Sequence, residues 1–168
     1  SVYAARGGAR EVTSVDASRP ALEGARRNMA LNRHHHALRR AVHRVLVGDA
    51  FRVLDELAKR GTRFDLVVLD PPSFAKTREE VPTALAAYQT LARLGLGVLA
   101  PRGILVMACC SGQVRAEDFF ETVHRAARHL KRPLHELART GHPVDHPISF
   151  PEGAYLSCLF AQAGPSLV

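Results

Sequence analysis

The sequence predicts an α/β fold, a mostly parallel sheet with helices on both faces. Apolar runs of strand length alternate with longer amphipathic stretches, the pattern of repeated β-α units. Four of these runs finish at a chemically useful residue: Asp16, Asp49, Asp70 and Cys110. Right-handed crossovers make such strands parallel, so their carboxyl ends share the edge where α/β sheets bind ligands.

Taken in order, Glu11–Val15 is a short strand closing at Asp16. Ser18 caps the helix that follows, with Pro20 tolerated in its first turn, and Leu22, Ala25 and Met29 share one face. Val42–Val47 is a second strand, closing on Gly48-Asp49. Ala50–Arg60 reads as an amphipathic helix with Phe51, Leu54 and Leu57 inward, stopped by Gly61. Leu66–Leu69 is an unbroken apolar run suited to a strand buried on both faces. It ends at Asp70, which Pro71 forces into an extended conformation, while Pro72 removes a further backbone donor. The result is a stiff loop that holds one carboxylate and presents Phe74 just beyond. Thr83–Leu99 is a long helix, Pro101-Arg102-Gly103 a turn, Ile104–Cys109 a fourth strand and Ala116–Leu130 another helix. Two weaker strands, around Leu134–Ala138 and Tyr155–Ala161, flank a proline-rich loop.

With 168 residues and neither a repeat nor an interdomain linker, residues 1–168 read as a single domain. A 46% hydrophobic content excludes a disordered chain. The formal charge of +7, with a pI near 10.0, favours polyanionic partners, nucleic acid foremost. Cys109, Cys110 and Cys158 form no CxxC pair and no disulfide framework, which suits a reducing compartment. No secretory signal is evident, and no apolar stretch approaches the roughly 20 residues of a membrane span. The expectation is a soluble cytoplasmic protein without a membrane partner. His34-His35-His36 reads as a solvated, RNA-facing loop, because adjacent histidines cannot easily converge on one metal ion.

The stretches SVDASRPALEGARRNMALN (14–32), VGDAFRVLDEL (47–57), FDLVVLDPPSFAK (64–76), PRGILVMACCSG (101–112) and DHPISFPEGAYL (145–156) carry a resemblance. The chain resembles the class I S-adenosylmethionine-dependent methyltransferases, and more closely the bacterial enzymes that make 5-methylcytosine in 23S ribosomal RNA. The resemblance implies a Rossmann-like sheet. It implies that Asp16 accepts hydrogen bonds from the cofactor's ribose and that Asp49 lies beside the adenine, with Ala50 and Phe51 lining it. Asp70 corresponds to the acid facing the target base, and Cys110 to the cysteine that attacks it. Pro71, Pro72, Phe74 and Lys76 would then contact substrate, with 23S rRNA as the expected partner. Such families open with a first strand and a glycine-rich loop. This chain begins in the helix after that loop, which Gly7-Gly8 should end, so an N-terminally truncated catalytic domain is expected. Where the family often has Gly-Tyr-Lys, this chain has Ala87-Tyr88-Gln89.

Several residues admit two readings. Asp16 and Asp49 each precede a helix and can cap it as well as bind a ligand. Phe74 can stack on a base or pack under its own loop. Lys76 and Arg78 can meet phosphates or merely face water. In the late loop, His146 can take part in proton removal or belong to a rigid turn between Pro143 and Pro147. Two other functions compete with cytosine-C5 transfer. One is methylation of an exocyclic base amine, where the Asp-Pro-Pro loop orients the amine and no thiol is needed. The other is a non-catalytic RNA-binding remnant.

Overall fold

The computed structural model describes residues 1–150 and 153–165 and contains six helices and six strands among them. Pro151 and Glu152 of the late motif lie outside the described residues. The chain divides into two compact units, Ser1–Glu56 and Leu57–Val168.

In the first unit, α1 (Val2–Arg6) ends at Gly7-Gly8 as expected and leads into β1 (Glu11–Asp16). The Ser18 hydroxyl accepts the Ala21 amide at 3.3 Å, capping α2 (Arg19–Leu31), and Pro20 occupies its first turn. Leu22 and Met29 are the buried residues of that helix. A short α3 (His36–Arg40) then precedes β2 (Val42–Val47), which runs parallel to β1 with Asp16 opposite Val47. Ala5, Met29 and Leu38 form a small core under Val2, Val12 and Ala41. The histidine run is thus not wholly a loop. His35 takes the N-cap position of α3, and burying Leu38 is what makes one more helical turn worthwhile. Helix α4 (Ala50–Lys59) begins in this unit, and the boundary between the units falls within it. Gly61, at φ +71°, stops the chain behind it in a conformation that side chains resist.

The second unit is a four-stranded sheet ordered β3-β4-β6-β5, built from Phe64–Leu69, Leu99–Cys109, Ser157–Ala163 and Leu134–Thr140 respectively. β3 and β4 are parallel; β6 runs antiparallel to both β4 and β5, so it alone is reversed. Helices α5 (Val81–Gly97) and α6 (Ala116–His129) bury one face, over Val67, Leu69, Leu105, Met107 and Leu159. Gly95 permits the close approach of α5, since a Cβ there would stand 2.7 Å from Leu69 Cδ1. Between the helices, Tyr88 meets Phe119 edge-on at 5.2 Å.

Three expectations are corrected. β3 is not buried on both faces: Val67 and Leu69 are, whereas Leu66 and Val68 are 45% and 60% exposed. Strand alternation sends these two to the face opposite α5 and α6. Helix α5 starts and ends two residues early, because Pro82 is accepted in its first turn. Leu99, assigned to that helix, instead opens β4. The supposed turn Pro101-Arg102-Gly103 is an irregularity within the strand, with Arg102 at φ 61°.

A bulge at Leu137 puts both Glu136 and Arg139 on the α6 side of β5. Arg139 there bonds Glu136 and Glu117 and lies 4.4 Å over the Phe120 ring, while Glu136 also meets His124. The Arg139 guanidinium holds the Glu136 carboxyl far below its ordinary value, at about 2. Because the folded value is depressed, this contribution to stability is complete above about pH 5 and fades as pH falls toward 2. Glu136→Gln is therefore expected to lower stability at neutral pH and to flatten the acid limb of a stability-versus-pH curve. Urea denaturation across that range measures both effects.

Candidate active site

In the first unit, parallel β1 and β2 bring two carboxylates to neighbouring strand ends. Gly48 N donates to Asp16 O at 3.0 Å, so the turn after β2 is stitched to the end of β1. Asp16 Oδ1 accepts the Ser18 amide at 2.7 Å, and Asp49 Oδ1 accepts the Arg52 amide at 3.2 Å. Each aspartate thus orders the start of a helix with one oxygen, and both side chains remain exposed. Their second oxygens are acceptors suited to hydroxyl or amine donors of a nucleoside. Ala50 and Phe51, both half-buried, open α4 beside Asp49.

In the second unit, parallel β3 and β4 bring the Asp-Pro-Pro loop and the cysteine pair together. The Cys110 thiol donates to Pro71 O at 3.6 Å, although the two residues are 39 apart in the chain. Its side chain is half-buried rather than sealed in the interior, and the Asp70 carboxylate is exposed. Burial, then the neighbouring Cys109 and Asp70, push the Cys110 thiol above its ordinary value. The free chain therefore carries a protonated thiol at neutral pH. Cys109 points to the buried face, against the hydroxyl of Tyr88. That hydroxyl is buried without a well-formed hydrogen bond, and burial together with Cys109 raises its pKa. Cys158 is half-buried, on the less covered sheet face. Burial raises its thiol too.

The substrate candidates occupy different situations. Pro71 is half-buried and Pro72 exposed. Phe74 tilts against Tyr88 at 4.8 Å, so its ring is held partly by the core beneath the loop. Lys76 is exposed, and its backbone amide donates to Glu80 Oε2 at 2.7 Å.

Two residues escaped sequence reasoning. Ser111 is fully buried, and its hydroxyl meets Ser73 Oγ at 2.9 Å, Ala75 N at 3.3 Å and Ala75 O at 2.8 Å. It fastens the loop after Asp70 to the strand end that carries Cys110. The signal was present only as two separate serines, Ser73 and Ser111, that no local pattern pairs. The second is His142, whose Nε2 accepts the Tyr155 and Leu156 amides, each at 3.1 Å. Its ring stacks on His146 at 5.2 Å, and Tyr155 lies against Gly112. Among the described residues no group of three or more histidines, cysteines and acids could hold a metal ion. No helix there is long and apolar enough to cross a membrane.

Parallel strand pairs that end in two acids in the first unit, and in an acid and a thiol in the second, are the frame of a nucleotide-dependent transferase. The description "S-adenosylmethionine-dependent methyltransferase" matches residues 1–161, and the chain belongs to that family. Among its relatives is a ribosomal RNA large subunit methyltransferase of Deinococcus radiodurans. That protein is 47% identical over 162 residues, covering 96% of this chain and 39% of the relative. Ribosomal RNA large subunit methyltransferase I of Tolumonas auensis is 40% identical, with 96% and 40% covered. The chain spans about two fifths of the length of these relatives. Of solved structures, SMU.776 complexed with SAH superposes with a TM-score of 0.72 at 24% identity, covering 96% of this chain and 41% of the other. NSun6 from Pyrococcus horikoshii with SFG gives 0.63 at 17%, covering 94% and 42%. Both show a shared fold.

Ser111→Ala leaves the buried Ala75 amide without its acceptor. It is expected to cost about 1–3 kcal/mol in denaturant unfolding. It should also raise proteolytic cleavage of the 71–75 loop at denaturant concentrations where the unaltered chain resists.

Proposed function

We propose that this chain is the catalytic domain of an RNA methyltransferase acting on large-subunit rRNA. The target is C5 of a cytosine, and the reaction passes through a covalent adduct with Cys110. The observation that carries the reading is the thiol of Cys110 held against the Asp-Pro-Pro loop at 3.6 Å, half-buried at a strand end. The names of the relatives support rRNA as the substrate class.

Asp16 and Asp49, with an acceptor oxygen each at adjacent strand ends, fit the ribose and adenine of S-adenosylmethionine, with Ala50 and Phe51 beside the ring. When bound, that cofactor supplies the electrophilic methyl group that C5 accepts. The chain's own task is to make C5 nucleophilic. Cys110, as thiolate, forms a bond to C6, and the displaced π electrons make the C5–C6 edge enamine-like. Asp70, facing the N3 and N4 edge, takes the proton of the Cys110 thiol and gives it to N3 as negative charge develops there. Once C5 is methylated, a water molecule takes its proton, which restores the double bond and expels the Cys110 thiolate, while N3 returns its proton through Asp70 to the sulfur. Pro71 and Pro72 hold the carboxyl in place, Phe74 offers a ring edge to the base, and Lys76 meets a neighbouring phosphate.

Cys110→Ala is expected to abolish methyl transfer to rRNA while leaving cofactor binding by calorimetry intact. A methyl found on a base nitrogen in digested RNA, or normal turnover by this variant, defeats the covalent reading. Since the thiol is raised above its ordinary value, turnover should climb as pH rises from 7 to about 9. Asp70→Asn removes one cause of that elevation. Alkylation of Cys110 by iodoacetamide should accelerate in this variant even as methyl transfer falls, which separates the electrostatic from the catalytic part played by Asp70.

A further inference from the structure

The first unit carries a charge pattern that cofactor binding does not use. Between Glu23 and Asp49 there is no acidic residue, yet the stretch holds six arginines, no lysine and four histidines. Arg26, Arg27, Arg33, Arg39, Arg40 and Arg44 are all exposed. Only Arg44 has a carboxylate partner among the described residues, Glu11. Arg52, Arg128 and Arg139, by contrast, each pair with glutamate. Five unneutralised guanidinium groups on one helix-turn-helix segment repel one another and cost stability unless an anion meets them.

We propose that the α2–α3 segment, with Arg33, Arg39 and Arg40 at its centre, is a second RNA contact that grips the phosphate backbone. The inference rests on the RNA reading above and adds where the strand is held. Arg33 lies in the turn between the helices, and Arg39 and Arg40 form the last turn of α3. Helix α1 ends at Arg6, whose charge bears on His35, so a further guanidinium borders the same surface. The His34 and His35 rings lie 4.2 Å apart and provide flat faces on which an unpaired base can stack. Desolvation, then His34 and Arg6, lower the His35 pKa, which favours the neutral ring. Arginine without lysine suits phosphate, which its planar fork meets with two parallel hydrogen bonds. A protein partner fits less well, because the stretch from Gly24 to Gly48 has no phenylalanine, tyrosine or tryptophan to anchor an interface.

The test compares two triple variants of the chain of equal charge change. One is Arg33→Gln, Arg39→Gln and Arg40→Gln; the other is Arg60→Gln, Arg93→Gln and Arg125→Gln, all exposed in the second unit. Binding to a mixed-sequence single-stranded RNA oligonucleotide is titrated across a sodium chloride series, with circular dichroism verifying the fold. The first variant should weaken binding and lessen the slope of log K against log salt by about 2, three phosphate contacts at about 0.7 each. The second should leave that slope unchanged. Equal losses in both variants, or none in the first, overturn the α2–α3 contact while RNA binding by the unaltered chain leaves the RNA reading standing. No binding by the unaltered chain at low salt removes both. Tighter binding to polyglutamate than to RNA, lost in the first variant, overturns the proposal in favour of an acidic protein partner.

Discussion

One buried hydroxyl governs the geometry of the second unit. Two parallel strands bring their ends side by side, but the loop beyond β3 must be fixed independently, because its prolines remove donors that would bond it to a neighbour. Ser111 supplies the missing ties by meeting Ser73 and both polar backbone groups of Ala75. It directly follows Cys110, so one short peptide both presents the thiol and anchors the loop it faces. Phe74 adds an apolar fastening: its ring rests on Tyr88, which rests in turn on Phe119 of α6. The loop position is therefore continuous with the helix core. Changes as distant as the α5–α6 interface are coupled to the thiol through packed rings.

The first unit solves a different problem with the same economy. A carboxylate at a strand end is costly to hold still unless it bonds something local. Asp16 and Asp49 each bond an amide at the start of a helix, which fixes one oxygen and leaves the other outward. Capping and ligand binding, alternatives at the level of sequence, are two oxygens of one group here. The stitch from Gly48 N to Asp16 O then sets the spacing between the two carboxylates.

Strand ends were the most legible part of this chain, because a parallel sheet imposes long apolar runs and abrupt polar stops. Asp16, Asp49 and Asp70 could be placed on that ground, as could the parallel pairing of neighbouring strands. What escaped had tertiary causes. The exposure of Leu66 and Val68 reflects which sheet face the helices cover, which an unbroken apolar run does not encode. Pro82 and Leu99 were misplaced because proline is as acceptable inside a helix start as before it, and a strand can absorb Arg102 in a left-handed conformation. The Ser73–Ser111 contact spans 38 positions, and no local periodicity reports such a pairing. His142 carries no local signal of its role. Its use as an acceptor for two consecutive amides requires the return of the chain at Tyr155 and Leu156.

The electrostatics of Cys110 and Asp70 oppose one another in the free chain, and that opposition has a function under the proposed mechanism. Burial disfavours the Cys110 thiolate most, then Cys109, and the exposed Asp70 carboxylate nearby adds to the penalty. A thiol kept protonated is a weak nucleophile and resists adventitious alkylation and oxidation. When the N3 and N4 edge of a cytosine engages Asp70, the negative charge next to the sulfur is shared with the base and the penalty on ionising Cys110 falls. The nucleophile then gains strength at the moment its target is in place. Tying the loop to the strand end through Ser111 is what makes that coupling possible, because a carboxylate on a wandering loop could neither suppress the thiol nor release it on demand.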